Sequence, residues 1–209
     1  IVRWMNSRSS SSLNRALLSV VVLLFLVASW GPASSKSRKK RKKAPANGVH
    51  AFTAKSLEGK DVALSRYKGK LMLVVNTASR CGYTPQYAKL QQLQTNYGDR
   101  GLRIVGFPSN DHGSQEPGTD EDIERFVRDK YDVTFDMFAK VHTRGKKTAP
   151  VFSYLTWDAP ADIRGLIRWN FTKFLIGPDG IPVARFEPDV DPLDPKVIRA
   201  IEYQLAKKP

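Results

Sequence analysis

The sequence predicts an α/β domain, a central mixed β-sheet flanked by helices. Three observations predict it. The stretch "LMLVVN" (71–76) is a continuous apolar run, as expected of a strand buried on both faces. A second such run, "LRIVGF" (102–107), follows a segment whose apolar residues recur near helical spacing, so strand, helix and strand form a β-α-β unit. Such a unit crosses over right-handedly into a parallel pair. Farther on, "FTKFLI" and "IPVARF" flank the turn sequence "GPDG" and read as two antiparallel strands.

The elements run in order from about Gly48, where the composition turns globular. "AFTAKSLEGKDVALS" (51–65) reads as two short strands joined around Gly59. After the first buried strand, Tyr87, Leu90, Leu93 and Tyr97 mark the apolar face of a helix, with Thr84 able to cap its first turn and Pro85 suited to its first position. A helix from about Thr119 carries Ile123, Phe126 and Val127. Residues 195–207 close the chain as a helix facing inward with Val197, Ile198, Ile201 and Leu205. This succession is a thioredoxin-like plan for one domain, residues 48–209.

Residues 1–47 read differently. The first 50 residues hold ten Lys or Arg and no acidic side chain, so +10 of the net +14 charge lies there. The remaining 159 residues carry 24 basic and 20 acidic side chains, an excess too mild to be the footprint of a nucleic-acid binder. "ALLSVVVLLFLVA" (16–28) has no charge over 13 residues, the length of a signal-peptide core and short for a membrane span, and Gly31 and Ala33 offer a small-x-small cleavage site. The run "KSRKKRKK" (36–43) adds seven positive charges, which after an uncleaved span favour the cytosolic side. Three readings stay open. They are a secretory signal or membrane anchor, a transit peptide for the mitochondrion or another organelle, and a nuclear address in the basic run, which in each case also reads as a solvated linker.

The chain has one cysteine, Cys81, so no intramolecular disulfide and no cysteine-based metal cluster supports the fold. His50, His112 and His142 lack metal-ligand spacing, and no metal is expected. Cys81 lies in "NTASRCGYTP" (76–85), where strand hands over to helix. The first helical turn leaves backbone N–H groups unpartnered and carries about half a positive charge, which stabilises a nearby thiolate. A free thiol's ordinary pKa of ~8.5 falls in such surroundings. Arg80 adds a positive neighbour, and Gly82 permits another molecule to approach closely. The opposite reading is that a lone cysteine is a small hydrophobe in a core. Position alone leaves both open.

Later segments add to this. "NTASRCGYT" resembles the active-site signature of the glutathione peroxidase family, "GFPSNDHGSQEPG" (106–118) its second signature and "WNFTKFLI" (169–176) its third. The resemblance runs in order from about Val49 to the end. It implies that Cys81 is the peroxidatic nucleophile and that Gln115, Trp169 and Asn170 complete a catalytic tetrad. The residue types suit the chemistry: a thiolate attacking a peroxide O–O bond needs donors for its own charge and for the departing alkoxide, and two amides and an indole N–H supply them without titrating. Taken singly, each has a plainer reading: Gln115 as a turn residue, Trp169 as core, Asn170 as a strand-end cap.

The resemblance further implies a hydroperoxide substrate, a role in the response to oxidative stress, and no prosthetic cofactor. Glutathione or a redoxin would be the reductant. Many cysteine-type members resolve their oxidised cysteine with a second one. This chain has none, and Ser109 stands where the second signature often has cysteine. A sulfenic acid on Cys81 must therefore be resolved by an external thiol or over-oxidise. An alternative is a peroxide sensor that passes oxidation from Cys81 to a client protein. Asp111 and His112 replace the Gln-Phe more usual in that loop. The short stretch 150–169 and "FDMFAK" (135–140) look like the monomeric phospholipid hydroperoxide branch of the family, which implies a monomer with an open site. Arg80, Lys146, Lys147, Arg168 and Lys173 are then candidates to meet anionic head groups at a membrane surface or the carboxylates of glutathione, or are plain surface cations.

Overall fold

The structure is a computed structural model that describes residues 44–207. The targeting segment and basic run expected up to Lys43 lie outside the described residues. Among the described residues, no helix is long and apolar enough to cross a membrane.

In chain order the elements are β1 (Thr53–Lys55), β2 (Asp61–Ala63), β3 (Leu71–Thr77), α1 (Gln86–Tyr97), β4 (Leu102–Pro108), α2 (Asp120–Tyr131), β5 (Asp136–Met137), α3 (Pro150–Trp157), β6 (Lys173–Ile176), β7 (Pro182–Phe186) and α4 (Pro195–Ala206). β1 and β2 are the two short strands predicted around Gly59, whose φ of 78° favours glycine, and they pair antiparallel. The other five strands make one mixed sheet in the order β5-β4-β3-β6-β7. β3, β4 and β5 run parallel, and β6 and β7 pair antiparallel. The predicted thioredoxin-like sheet with flanking helices is present.

β3 is buried at all seven positions, and its alternating side chains serve two cores. Leu71, Leu73 and Val75 pack with Leu90 and Leu93 of α1, Ile123 and Val127 of α2, and Val197 and Ile201 of α4. Met72 and Val74 pack on the other face with Val151, Phe152 and Leu155 of α3. Helices on both faces are the reason the strand reads as an unbroken apolar run. Full burial of such side chains contributes about 1.5–3 kcal/mol each, which fixes the sheet as a rigid base.

Helix starts differ from one another. Thr119 caps α2 in a reciprocal box, its hydroxyl accepting from Asp122 N–H while the Asp122 carboxylate accepts from Thr119 N–H. α1 has Pro85 at its N-cap and no side-chain cap. Thr84, expected to cap it, turns its hydroxyl elsewhere, as described below. Two elements carry little sequence signal. β5 has two residues, and α3 is buried at five of its eight, so it lacks the polar stripe that betrays a surface helix.

The register places the site. Thr77 at the end of β3 lies opposite Pro108 at the end of β4, and Val75 lies opposite Lys173 at the start of β6. The segments leaving β3, leaving β4 and entering β6 therefore gather at one end of the sheet. That end, beyond the carboxyl ends of the parallel strands, is where open α/β sheets bind ligands.

Candidate active site

Cys81 follows β3 by four residues and keeps 8% of its surface exposed. It is packed at the margin of the core, yet its sulfur accepts the N–H of Tyr83 at 3.4 Å. The loop around it is tied down by Thr84, whose hydroxyl accepts from Cys81 N–H at 2.9 Å and donates to the Ala78 carbonyl at 2.9 Å. Thr84 thus organises the cysteine loop rather than the helix that follows. Two further bonds join this loop to the one after β4. Arg80 N–H donates to the Gln115 carbonyl at 3.0 Å, and the Ser79 hydroxyl donates to Glu116 Oε2 at 3.1 Å. Glu116 is buried, and burial pushes its carboxyl up from the ordinary range against the opposing pull of the Ser79 bond.

Asn170 is fully buried and its amide faces two acceptors, the His112 carbonyl at 3.2 Å and Gln115 Oε1 at 3.0 Å. A carbonyl only accepts, so the atom facing His112 is nitrogen. The same nitrogen donates to Gln115, so the Gln115 atom facing it is oxygen. The orientation of both amides follows. Both Asn170 Nδ2 hydrogens are committed, and the Nε2 end of Gln115 is left to donate to another group. Trp169 is 38% exposed, and its ring centroid lies 6.1 Å from that of His112.

A residue that sequence reasoning passes over holds this arm. Buried Asn76, next to last in β3, donates from Nδ2 to the Trp169 carbonyl at 3.1 Å and accepts Thr172 N–H on Oδ1 at 3.0 Å. Its backbone carbonyl takes the Phe171 N–H at 2.6 Å. The signal was present as a single amide ending an otherwise apolar run.

Backbone strain marks the same place. Among the described residues, three non-glycine residues have left-handed backbone: Asp132 ends α2, while Ser114 (φ 53°) and Phe171 (φ 65°) adjoin Gln115 and Asn170. A bulky residue held there costs of order 1–3 kcal/mol, and such outliers gather at functional sites. Gly113 (φ 70°) completes the loop, with the Trp169 ring 3.2 Å from where a Cβ would stand.

Of the five basic candidates, Arg80, Lys146, Lys147 and Arg168 are exposed. Arg80 and Arg168 adjoin Cys81 and Trp169 in sequence. Lys146 and Lys147 follow the turn whose Thr143 and Arg144 N–H groups bind Asp111 Oδ2. Lys173 does not belong with them. It has no exposed surface, and its ammonium donates to Gln86 Oε1 at 2.9 Å and to the carbonyls of Phe171 and Pro188 at 2.8 and 3.5 Å. It cannot meet a head group or a peptide carboxylate, because its strand position points it under the start of α1.

Burial pushes the Lys173 ammonium down to about 7, against the pull of Asp189, Asp191 and Glu187. Above that value the unfolded chain binds the proton that the folded one has released, so stability rises with pH until the unfolded lysine also titrates. Below it both states are charged and the full penalty stands. Relative to Lys173→Met, the wild-type protein is therefore expected to gain stability above pH ~7, at a slope approaching 1.4 kcal/mol per pH unit. Urea unfolding of both proteins from neutral to alkaline pH checks this, and parallel curves would refute it.

The sheet order and its flanking helices define a thioredoxin-like scaffold with Cys81 at its ligand-binding end. Residues 49–156 match the family model described as Glutathione peroxidase. The chain is 45% identical over 141 residues to a glutathione peroxidase of Lactococcus lactis subsp. cremoris, covering 68% of this chain and 90% of that one. It is also 45% identical over 145 residues to the chloroplastic phospholipid hydroperoxide glutathione peroxidase 1 of Arabidopsis thaliana, covering 69% of this chain and 61% of that one. A similar match, 44% over 146 residues, is to the hydroperoxy fatty acid reductase of a Synechocystis species, covering 67% of this chain and 86% of that one. Among solved structures, T. cruzi GPX1 superimposes with a TM-score of 0.60 at 28% identity, over 76% of this chain and 96% of that one. A thiol:disulfide interchange protein from Chlorobium tepidum, at 16% identity and a TM-score of 0.55 over 79% of this chain and 99% of that one, shares the fold alone. The chain belongs to the glutathione peroxidase family. It is a peroxidase, reducing peroxide at the expense of a thiol.

Proposed function

We propose that the protein reduces hydrogen peroxide and organic hydroperoxides, lipid hydroperoxides among them, through Cys81, with glutathione or a redoxin dithiol as reductant, and that it serves in the response to oxidative stress. The observation that carries this reading is the committed amide pair. Asn170 fixes Gln115 by its oxygen, leaving an N–H free in a loop bonded directly to the residue before Cys81. The Cys81 thiolate attacks the nearer peroxide oxygen, the O–O bond breaks, and the alkoxide leaves to take up a proton as alcohol. Gln115 Nε2 and the Trp169 indole N–H are the donors for charge developing on sulfur and oxygen.

The sulfenic acid then condenses with an external thiol, releasing water and forming a mixed disulfide, and a second thiol frees Cys81 while becoming part of a disulfide. With no second cysteine in the chain, both thiols come from outside. No prosthetic group takes part.

The lipid branch is supported by the names of the Arabidopsis and Synechocystis relatives and by the short 150–169 stretch, which also favours a monomer. Exposed Leu166 and Trp157, with Arg80 and Arg168 nearby in sequence to the site, suit a membrane surface carrying oxidised lipid. The apolar run at 16–28 supports a secretory or membrane-anchored location, with an organelle as the alternative. Steady-state peroxide consumption by the domain from Gly48 onward, with glutathione and thioredoxin in parallel, tests the reading. Sustained turnover with either supports it. Oxidation of Cys81 without turnover, together with a disulfide-trapped client, would replace it by a sensor.

A further inference from the structure

His112 is an unusual residue to find in this loop. Its ring is fully buried, and its one hydrogen bond joins Nε2 to the Thr143 hydroxyl at 3.0 Å. Nδ1 is buried without a hydrogen-bond partner. The residue's other end serves the site, because the His112 carbonyl takes one of the two Asn170 hydrogens while Gln115 takes the other. Ring and carbonyl sit immediately before the left-handed pair Gly113 and Ser114, so a shift of the ring is passed to Gln115 through a backbone with little slack. The Trp169 ring borders it on one side.

We propose that His112 is a positioning residue of the peroxidase site: its neutral ring, tied to Thr143, holds the 112–115 loop so that Asn170, and through it Gln115, is correctly aimed. This rests on the function proposed above. The ring is anchored from a second loop that is itself fixed to Asp111, whose carboxylate accepts His142 Nδ1 and the N–H groups of Thr143 and Arg144. Protonation would turn the unpartnered Nδ1 into a donor drawn toward the Arg168 carbonyl and Asp111, and so away from the position in which Thr143 holds the ring. Burial lowers the imidazole's affinity for that proton, and the Arg144 charge lowers it further. Asp111, already shared with His142, and the Arg168 carbonyl pull the other way. Burial works to raise the Asp111 carboxyl, but its hydrogen bonds from His142, Thr143 and Arg144 hold it below the ordinary range, so it stays ionised through the pH range in question. Acid therefore charges an imidazole that the site needs neutral, and the loop lets Gln115 go.

The test uses two substitutions in the full chain. His112→Gln puts an amide N–H where Nε2 stands and does not titrate. His112→Phe fills the space without the bond. Peroxide kcat/KM is measured across acidic and neutral pH, and the imidazole is titrated by NMR, its signal assigned by its loss in His112→Gln. The ratio of wild type to His112→Gln cancels the titration of groups common to both. It is expected to be level above the imidazole midpoint and to fall about tenfold below it, a smaller loss than the about 10²–10³ that outright removal of one donor costs. His112→Phe is expected to lose about tenfold at every pH, with His112→Gln recovering most of that at neutral pH. If the Phe variant does not fold, Thr143→Val cuts the same tie and carries the same expectation. A ratio that stays flat through the midpoint, alongside Cys81-dependent turnover, overturns this inference alone. Turnover that survives Cys81→Ser overturns the function as well.

Discussion

Cys81→Ser is expected to lose peroxide turnover by at least about 10³-fold, the scale of loss when an enzyme's nucleophile is removed. A serine hydroxyl is not ionised near neutral pH, and it cannot hold the oxygen that sulfur accepts as a sulfenic acid. The loss is chemical rather than structural. The loop is shaped chiefly by bonds from the Cys81 backbone N–H to Thr84 and from Arg80 N–H to Gln115, and the one bond to the sulfur, from Tyr83 N–H, can equally be accepted by a serine oxygen. Oxygen is the smaller atom, so the marginal packing position tolerates it. A glutathione-coupled peroxide assay beside a melting curve checks both halves: no turnover, with a midpoint little changed. A variant that still turns over, or one that has unfolded, contradicts the assignment.

Gln115→Leu is expected to lower kcat/KM for peroxide by about 10²–10³-fold, as removal of one preorganised donor does. Asn170→Leu carries a related expectation with a sharper form. Because both Asn170 Nδ2 hydrogens are spent on His112 and Gln115, Asn170 acts by aiming Gln115. Its removal matters when Gln115 is present and adds little when Gln115 is gone. The double variant is therefore expected to match Gln115→Leu to within a few-fold, a non-additivity that a double-mutant cycle measures. Losses that multiply instead would give Asn170 a separate donor role, which this hydrogen-bond pattern leaves no hydrogen to fill.

Local pattern made much of this molecule legible. β3 and β4 announce themselves as apolar runs because helices cover both faces of the sheet, and the β6–β7 hairpin announces itself by its turn. The helix from Thr119 is marked by its apolar face. Three segments could be singled out as a site through their resemblance to the signatures of the glutathione peroxidase family, since position and residue type alone left Cys81, Gln115, Trp169 and Asn170 with plainer readings. What sequence did not disclose is direction. Thr84 stands where a helix cap would, but its hydroxyl bridges Cys81 N–H and the Ala78 carbonyl. Lys173 looks like a surface cation in "FTKFLI", yet all four β6 residues are buried, and Gln86, Phe171 and Pro188 supply the acceptors its ammonium needs. The holding role of Asn76 depends on residues more than ninety positions later, and its one local trace is an amide ending an apolar run, which does not say what it holds. α3 stayed hidden because its less buried face holds Pro150, Ser153 and Trp157 rather than charged residues, so no amphipathic rhythm is written there.

The whole mechanism turns on oxygen passing from peroxide to a single sulfur and from there to a thiol outside the chain. Intact-protein and peptide mass spectrometry after one equivalent of hydroperoxide, with a sulfenic-acid trap and no thiol present, reads that step directly. One oxygen atom on Cys81, captured by the trap and replaced by a glutathione adduct when glutathione is added first, is the predicted result. Peroxide consumed while Cys81 remains an unmodified thiol would contradict it.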